Sequence, residues 1–122
     1  MNKILLVDDS VDLLQVLKIF LEMEHFVVKT LTHPYCTYKE ICEFKPDLLI
    51  LDIFLEKQDS REVCKNLRQH PAANDLRILL TSTSPATLAE YKTYLADDYL
   101  EKPFDLWVLN QKIQSLLELA AV

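Results

Sequence analysis

The sequence predicts an α/β fold in which a parallel sheet carries helices on both faces. Strand-like and helix-like segments alternate five times along the 122 residues, and alternation of this kind is typical of a parallel sheet. The strand-like segments are apolar throughout, as expected for strands that are covered on both faces. The segments between them repeat their apolar residues at the spacing of an amphipathic helix.

Each element is predicted from its own local pattern. The segment 11–24, for example, places apolar side chains at helical spacing with polar side chains between them. Ser60 and Ser84 are predicted N-caps, and Pro85 follows Ser84 at the first helical position. The predicted strands are 3–8, 26–31, 47–53, 77–81 and 99–100, and the predicted helices are 11–24, 37–45, 60–69, 84–95 and 105–120.

The composition limits the classes of partner and the location. The chain fits one domain over residues 1–122, and its net charge is −6, from 19 acidic and 13 basic residues. This balance argues against binding of nucleic acid or an anionic membrane by bulk charge. No apolar segment is long enough to span a bilayer, and the N-terminus lacks the pattern of a signal peptide. We therefore expect a cytoplasmic protein.

Cysteine and glycine usage give two further expectations. The spacing of Cys36, Cys42 and Cys64 matches no zinc or redox motif, so we expect free thiols, with Cys42 and Cys64 buried. Glycine is absent, which excludes phosphate sites built on glycine-rich loops. Without glycine, every turn is expected to use Asn, Asp, Ser, His or Pro.

Polar residues stand at the predicted carboxyl ends of the strands. Asp8 and Asp9 follow the first strand, Asp52 ends the third, and Thr81 and Lys102 end the fourth and fifth. Ligands of such sheets bind beyond these ends. Two unit charges 4 Å apart repel by roughly 4 kcal/mol at an effective dielectric of 20. Three carboxylates brought together therefore predict a site for a divalent cation.

Each of these residues also has a purely structural interpretation. Asp8 and Asp9 could favour the N-terminus of the following helix through its dipole. Asp52 could be an ordinary residue of a turn at the end of a strand, and Thr81 a structural β-branched residue. Tyr99 could be a half-buried tyrosine of the last strand. The combination of these residues at one edge of the sheet favours the functional interpretation.

Four short motifs stand at the ends of the predicted strands. They are Leu6-Val7-Asp8-Asp9-Ser10, Leu51-Asp52, Thr81-Ser82 and Tyr99-Leu100-Glu101-Lys102-Pro103-Phe104. With these motifs in this order, the chain resembles the receiver domain of two-component response regulators over its whole length. The resemblance implies a flavodoxin-like, doubly wound, five-stranded parallel sheet of order 2-1-3-4-5, flanked by five helices. It also implies a cis bond before the proline that follows Lys102.

The resemblance assigns a role to each site residue. Asp52 would accept a phosphoryl group from a phosphohistidine on a sensor histidine kinase or a histidine phosphotransfer protein. Asp9, Asp52 and the backbone carbonyl of Phe54 would ligate Mg²⁺, with Asp8 acting through bound water. Lys102 would contact the phosphoryl oxygens. The chain would not be an enzyme, apart from assisting its own phosphorylation and dephosphorylation.

The resemblance further implies a conformational switch. Thr81 would move toward the new phosphoryl oxygens and Tyr99 would turn inward. The surface of the fourth helix, fifth strand and fifth helix would then change for a downstream protein partner, or for a homodimer that depends on phosphorylation. Aromatic residues expected near this surface, either as a binding patch or as core packing, are Tyr91, Tyr94 and Trp107.

Four positions depart from the family pattern. Leu55 and Glu56 stand where Met-Pro is common, Ser60 stands where Gly is common, and Ser82 where Ala or Gly is usual. Glu56 adds negative charge and Phe54 adds bulk beside Asp52. We hypothesise that Glu56 and Phe54 alter the lifetime of the acyl phosphate.

Three other functions remain open at this stage. The chain could be a pseudo-receiver that binds partners without taking phosphate. It could be the receiver fragment of a longer regulator with a DNA-binding or enzymatic output domain, rather than a stand-alone receiver. It could also be a Mg²⁺-dependent phosphatase or phosphotransferase, although 122 residues leave no obvious substrate pocket.

Overall fold

The computed structural model describes residues 2–55 and 58–121. Within these residues, one parallel sheet has the strand order β2-β1-β3-β4-β5, so the predicted fold class and order are confirmed. The bounds of its strands are β1 Lys3–Val7, β2 Val27–Leu31, β3 Leu48–Asp52, β4 Arg77–Ser82 and β5 Asp98–Glu101.

Five helices cover the sheet, and short elements lie between them. A small antiparallel hairpin pairs Phe54–Leu55 with Gln58–Asp59 directly after β3. Two single 3₁₀ turns span Pro34–Cys36 and Pro71–Ala73. The helices are α1 Val11–Met23, α2 Thr37–Phe44, α3 Ser60–Leu67, α4 Pro85–Leu88 and α5 Leu106–Ala121.

Serine side chains begin two of the helices. The Oγ of Ser10 accepts a hydrogen bond from the amide of Leu13 at the start of α1. Ser84 caps α4 by accepting from the amide of Thr87, as predicted. The predicted cap at Ser60 is wrong, because Ser60 is already the first residue of α3 and is buried. Its Oγ has no hydrogen-bond partner among the described residues.

The fourth helix is much shorter than predicted. The sequence suggested a helix over 84–95, but α4 ends at Leu88 and a series of tight turns follows. In these turns the amides bond to carbonyls three residues back, as Tyr91 does to Leu88. Threonines and tyrosines are frequent in this segment and are weaker helix formers than Ala, Leu or Glu. The apolar residues of this segment therefore keep their helical spacing in the sequence, but the backbone forms turns instead of a regular helix.

The core is divided into two layers by the sheet. Because side chains alternate along each strand, neighbouring residues of β1 and β3 enter opposite layers. The layer under α1 and α5 includes Ile4, Leu6, Leu14, Leu17, Leu21, Ile50, Leu79, Leu109, Ile113 and Leu116. The layer under α2, α3 and α4 includes Leu5, Val7, Ile41, Leu49, Leu51, Cys64, Leu67, Ile78, Leu80 and Leu88.

Three of the described residues, none of them glycine, adopt the left-handed conformation. They are His25, Lys45 and Leu95, with φ values of 71°, 53° and 64°. This conformation costs roughly 1–2 kcal/mol for a residue with a Cβ. His25 belongs to the residue types predicted for turns, but Lys45 and Leu95 do not, so that expectation was too narrow. At Lys45 the amide bonds to the carbonyl of Ile41, which closes the end of α2.

The cysteine expectations are confirmed in part. All three cysteines are free, and Cys64 is buried on the inner side of α3. Cys42 is exposed, contrary to the prediction, because it lies on the outer side of the short helix α2. Among the described residues, none of the helices combines the length and apolar character needed to cross a membrane.

A half-buried guanidinium joins three segments at the amino ends of the strands. Arg68 follows α3, and its Nε donates to the carbonyl of Leu95 at 2.9 Å. Its Nη1 donates to the carbonyls of Ala73 (2.9 Å) and Leu76, and its Nη2 lies 2.5 Å from Asp97 Oδ2. The same carboxylate oxygen accepts from the amide of Ile78 at 2.8 Å. Arg68 therefore connects α3 to the beginnings of β4 and β5.

Removal of this guanidinium is expected to destabilise the fold strongly. Arg68→Ala should lower the free energy of unfolding by about 3 kcal/mol, because it removes the donor to three backbone carbonyls and breaks the ion pair with the half-buried Asp97. Urea titration followed by circular dichroism measures this loss. Arg61→Ala is the matched control, since Arg61 contacts the exposed Glu90 and should lose less than about 1 kcal/mol. Equal losses in the two variants would contradict the prediction.

Candidate acidic site

The parallel register brings the predicted site residues to one edge of the sheet. Asp8 follows β1 directly, and Asp52 is the last residue of β3. In the register of β1 with β3, Val7 lies opposite Leu51, so Asp8 and Asp52 are at the same level. Asp52 lies opposite Thr81 of β4. Three adjacent strands thus present their polar ends together, as predicted.

Three carboxylates converge at this edge. One oxygen each from Asp8, Asp9 and Asp52 lies within 4.8 Å of the others. Asp8 and Asp52 are only 5% and 7% exposed, whereas Asp9 is exposed to solvent. Two buried carboxylates of like charge with a third at the surface form a set of hard oxygen donors. The site thus has the donor chemistry that suits a divalent cation, and it is open on the side of Asp9.

Lys102 supplies a positive charge to the buried carboxylates. Its Nζ lies 2.5 Å from Asp8 Oδ2 and 3.3 Å from Asp52 Oδ1. Its backbone amide donates to the carbonyl of Ser82 at 2.7 Å, which fixes the residue beside the end of β4. The bond between Lys102 and Pro103 is cis, as the resemblance implies. Lys102 therefore bridges the two buried carboxylates.

The electrostatic environment is reflected in the pKa values of the site. Burial, with added repulsion from Asp8, raises the pKa of Asp52 to about 6, although Lys102 acts in the opposite direction. Burial lowers the pKa of Lys102, but its hydrogen bond to Asp8 and the charges of Asp52 and Asp8 outweigh this effect and raise it overall. At neutral pH the site therefore places the ammonium group of Lys102 beside Asp52, whose ionised form is disfavoured by burial.

The two predicted switch residues have different surroundings. Thr81 is 2% exposed and lies beside Asp52 in the sheet register. Tyr99 is 39% exposed on the edge strand β5. Its ring lies 5.0 Å from that of Tyr91, and Lys112 Nζ lies 5.4 Å from its centre. Thr81 thus belongs to the acidic site, whereas Tyr99 belongs to an outward-facing cluster.

Two of the aromatic residues expected near Tyr99 have other neighbours. The ring of Trp107 packs edge-on against Phe20 of α1, with ring centroids 5.7 Å apart. Tyr94 lies 5.2 Å from the guanidinium carbon of Arg61. Only Tyr91, among these three predicted residues, makes a ring contact with Tyr99. The aromatic side chains therefore divide between different surfaces.

Two expectations beside Asp52 cannot be compared with the structure. The backbone of Phe54 begins the short hairpin two residues after Asp52, and the use of its carbonyl as a metal ligand stays a prediction. Glu56 lies outside the described residues. The hypothesis that Phe54 and Glu56 alter acyl-phosphate lifetime therefore also stays a prediction.

Sequence reasoning missed two contacts of Asp8. The water-mediated metal contact of Asp8 and the contact of Lys102 with phosphoryl oxygens stay predictions, but the direct contact between these two side chains was not foreseen. Asp8 Oδ1 also accepts a hydrogen bond of 2.9 Å from the amide of Ser10. Asp and Ser residues directly before a segment with helical spacing are typical of a helix start, so the sequence does indicate the contact between Asp8 and the Ser10 amide. No local signal indicates the pairing with Lys102, since the two residues are 94 positions apart.

Comparison with known proteins identifies the family. A family model described as the response regulator receiver domain matches residues 4–114. The chain belongs to this family. The receiver domain is 33% identical over 116 residues to the alkaline phosphatase synthesis transcriptional regulatory protein PhoP of Bacillus subtilis, covering 95% of the chain and 48% of PhoP. It is 37% identical over 118 residues to the transcriptional regulatory protein CpxR of Escherichia coli, covering 96% and 50%.

Solved structures agree with this assignment. A two-component response regulator from Clostridium difficile superposes with a TM-score of 0.87 at 28% identity, covering 97% of both chains. The response regulator TrrA from Thermotoga maritima, solved in complex with Mg²⁺-BeF, gives 0.85 at 28% identity, covering 95% of this chain and 99% of TrrA. The chain spans about half the length of the curated relatives named above.

Proposed function

We propose that this receiver domain is a phosphorylation switch in which Asp52 is the phosphoacceptor. The observation that carries the proposal is the position of Asp52, nearly buried at the carboxyl edge of the sheet among two further carboxylates and Lys102. The donor is a phosphohistidine on a sensor histidine kinase or a histidine phosphotransfer protein. The three free thiols suit the reducing cytoplasm, which is where we place the domain.

The acidic residues fit Mg²⁺ as the cofactor. Mg²⁺ is held by one or two carboxylates together with waters and phosphate oxygens. Asp9 and Asp52 are the direct carboxylate ligands in this proposal, with the carbonyl of Phe54, and Asp8 acts through bound water. When bound, the ion supplies positive charge that offsets the repulsion between the attacking carboxylate and the incoming phosphoryl group.

Transfer needs little from the protein beyond position and charge. An oxygen of Asp52 attacks phosphorus, the bond from phosphorus to the histidine nitrogen breaks, and that nitrogen keeps the electron pair. Lys102, which holds Asp8 at 2.5 Å in the unmodified protein, is close enough to Asp52 to contact the new phosphoryl oxygens. The hydroxyl of Thr81 donates to another of these oxygens.

The change at the partner-binding surface follows from the new contacts that Lys102 and Thr81 make with the phosphoryl group. Movement of Thr81 toward the phosphoryl group makes room for Tyr99, which now lies outward beside Tyr91 and Lys112. Inward rotation of Tyr99 changes the surface of α4, β5 and α5, and a partner that binds one form better shifts the equilibrium. The partner is a downstream protein, or a second copy in a homodimer that depends on phosphorylation.

Phosphorylation by a small donor tests this function directly. With acetyl phosphate and Mg²⁺, intact mass spectrometry should show one added phosphoryl group on the wild type and none on Asp52→Asn, because the substitution removes the carboxylate that attacks phosphorus. Asp75→Asn, a change at an exposed position, is the matched control and should be modified like the wild type.

The same experiment separates the alternative functions. A pseudo-receiver would gain no phosphoryl group under any of these conditions. A phosphatase or phosphotransferase would release phosphate over many cycles, which a continuous phosphate assay detects. If the chain is part of a longer regulator, as the length of PhoP and CpxR suggests, Asp52 should be modified in the full-length protein as well.

A further inference from the structure

A cleft with an excess of positive charge opens at the amino ends of β4 and β5. Its volume is about 500 Å³, which is within the range of small-molecule sites, roughly 300–1,000 Å³. Three of the side chains that line it are cationic, Arg68, Arg77 and Lys92, and one is a carboxylate, Asp97. With three positive charges against one negative, the cleft attracts anions, although the whole chain has a net charge of −6.

The carboxylate of Asp97 is already bound by the protein. Its Oδ2 lies 2.5 Å from Arg68 Nη2 and accepts a hydrogen bond from the amide of Ile78 at 2.8 Å. Its Oδ1 lies 3.5 Å from Arg77 Nη1. The side chains of Arg68 and Arg77 are 14% and 31% exposed, so water and salt screen their charges less than those of surface residues. Asp97 therefore holds two half-buried positive charges in place and neutralises only one of them.

Two exposed polar side chains of the cleft can adapt to a ligand. Lys92 lies in the turns that follow α4, and Asn74 follows the second 3₁₀ turn. A lysine ammonium and an asparagine amide both donate hydrogen bonds. Because neither side chain is buried, each can turn toward an anion that occupies the cleft. The cleft thus combines half-buried charges of fixed position with exposed donors that can move.

An apolar side chain lies beside these charges. Leu95 lines the cleft and is 48% exposed, and its φ of 64° is uncommon for a residue with a Cβ. The hydrogen bond of 2.9 Å from Arg68 Nε to the carbonyl of Leu95 helps to hold this conformation. Leu95 therefore offers the cleft an apolar surface, next to the cations, on which the carbon skeleton of a ligand can pack.

The charges and the volume of the cleft indicate the class of its ligand. Guanidinium and ammonium groups both bind phosphate oxygens through charge-assisted hydrogen bonds. A single carboxylate would offset only one of the two excess positive charges and would fill little of the volume. Two linked phosphoryl groups supply the required negative charge in a small space, and they leave the apolar surface of Leu95 for an organic substituent.

We propose that a small molecule with a diphosphate group binds in this cleft, with its phosphoryl oxygens on Arg77, Lys92 and Asn74 and its organic part on Leu95. The cleft lies at the amino edge of the sheet, roughly 16 Å from the acidic site along β4 at about 3.3 Å per residue. Binding requires neither Mg²⁺ nor phosphorylation, because no residue of the acidic site lines the cleft. The proposal therefore goes beyond the phosphorylation switch and is tested separately from it.

Titration calorimetry with inorganic pyrophosphate tests the site, on protein freed of divalent cations by a chelating resin. The dissociation constant should lie below about 1 mM at low salt and should rise with ionic strength, because salt screens the attraction. Lys92→Met and Arg77→Met should each raise it about tenfold, since each removes a charge-assisted hydrogen bond. Lys18→Met removes an exposed lysine of α1 and is the matched control, which should bind like the wild type.

Two further ligands test the chemical class. Inorganic phosphate should bind at least about fivefold more weakly than pyrophosphate, because it brings less charge to the same cations. An oligoglutamate peptide should also bind more weakly, because its carboxylates are singly charged and spread along a chain. Equal affinity for pyrophosphate and either of these ligands would contradict a diphosphate site.

Amide chemical shifts locate the bound anion. Addition of pyrophosphate should shift the amide resonances of Asn74, Lys92 and Asp97 in two-dimensional NMR spectra and leave those of the acidic site unchanged. Circular dichroism shows whether Arg77→Met is folded, and Lys92→Met, a change at an exposed side chain, tests the proposal by itself. No binding at about 10 mM pyrophosphate, undiminished binding by Lys92→Met, or shifts confined to the acidic site would each overturn the proposal.

Discussion

Replacement of Lys102 by methionine is expected to lower the free energy of unfolding by about 3 kcal/mol at pH 8 without divalent cations, as for other broken buried ion pairs. The loss arises because the carboxylates of Asp8 and Asp52 would remain buried without the ammonium group that contacts both. Urea titration in the presence of EDTA measures it. Addition of Mg²⁺ should restore part of the loss, because a bound cation replaces some of the missing charge.

A double variant isolates the electrostatic cause. In the Asp52→Asn background one of the two buried charges is already absent, so Lys102→Met should cost less than in the wild type. Lys92→Met, at an exposed lysine, should change stability by less than about 0.5 kcal/mol. A loss below about 1 kcal/mol for Lys102→Met would mean that the bridge contributes little to the fold.

The second large effect is a dependence of stability on pH that arises from Asp52. Its pKa rises from 3.8 to about 6 on folding, so the folded state binds this proton more tightly than the unfolded state. The contribution of protonated Asp52 to the free energy of unfolding is fully present below pH 3.8 and is lost as pH rises through 6. In metal-free protein, Asp52→Asn should therefore gain about 2 kcal/mol relative to the wild type between pH 4 and pH 7.5.

Parallel urea titrations across this pH range measure the difference between the two proteins. Mg²⁺ should reduce the advantage of Asp52→Asn at pH 7.5, because the ionised carboxylate of the wild type then has a cation to bind. Asp75→Asn, at an exposed position, should follow the wild type at every pH. An advantage that does not change with pH would place the origin of the effect in packing rather than ionisation.

Much of the fold follows from short-range patterns in the sequence. Each of the three central strands, β1, β3 and β4, contains an apolar run that ends in or beside a polar residue, and burial on both faces requires that pattern. Parallel strands align their carboxyl ends, so the positions of Asp8, Asp52 and Thr81 at run ends were sufficient to predict that they meet. The strand order itself came from the family resemblance, since no local pattern specifies which strands are neighbours.

The errors occur where long-range contacts decide the local structure. The apolar residues after Leu88 have helical spacing, but the segment forms tight turns that end at Leu95. The carbonyl of Leu95 accepts a hydrogen bond from Arg68, which is distant in the sequence. The contact of Lys102 with Asp8 was not foreseen, because the two residues are 94 positions apart and meet only in the folded chain. Trp107 was expected near the output surface as a binding patch or as core packing, and its contact with Phe20 of α1 was not foreseen. Helix propensity and periodicity carry no information about such partners.

The central position of β3 in the sheet determines how readily its backbone hydrogen bonds open. Its amides bond between β1 and β4, and such strands exchange their hydrogens only when the whole domain unfolds. The turns that follow Leu88 open much more readily than β3, because isolated turns on the surface unfold locally at a low free energy. Asp52, the proposed phosphoacceptor at the end of β3, is therefore held in the most cooperative part of the molecule, while the segment next to Tyr99 can rearrange without disturbing it.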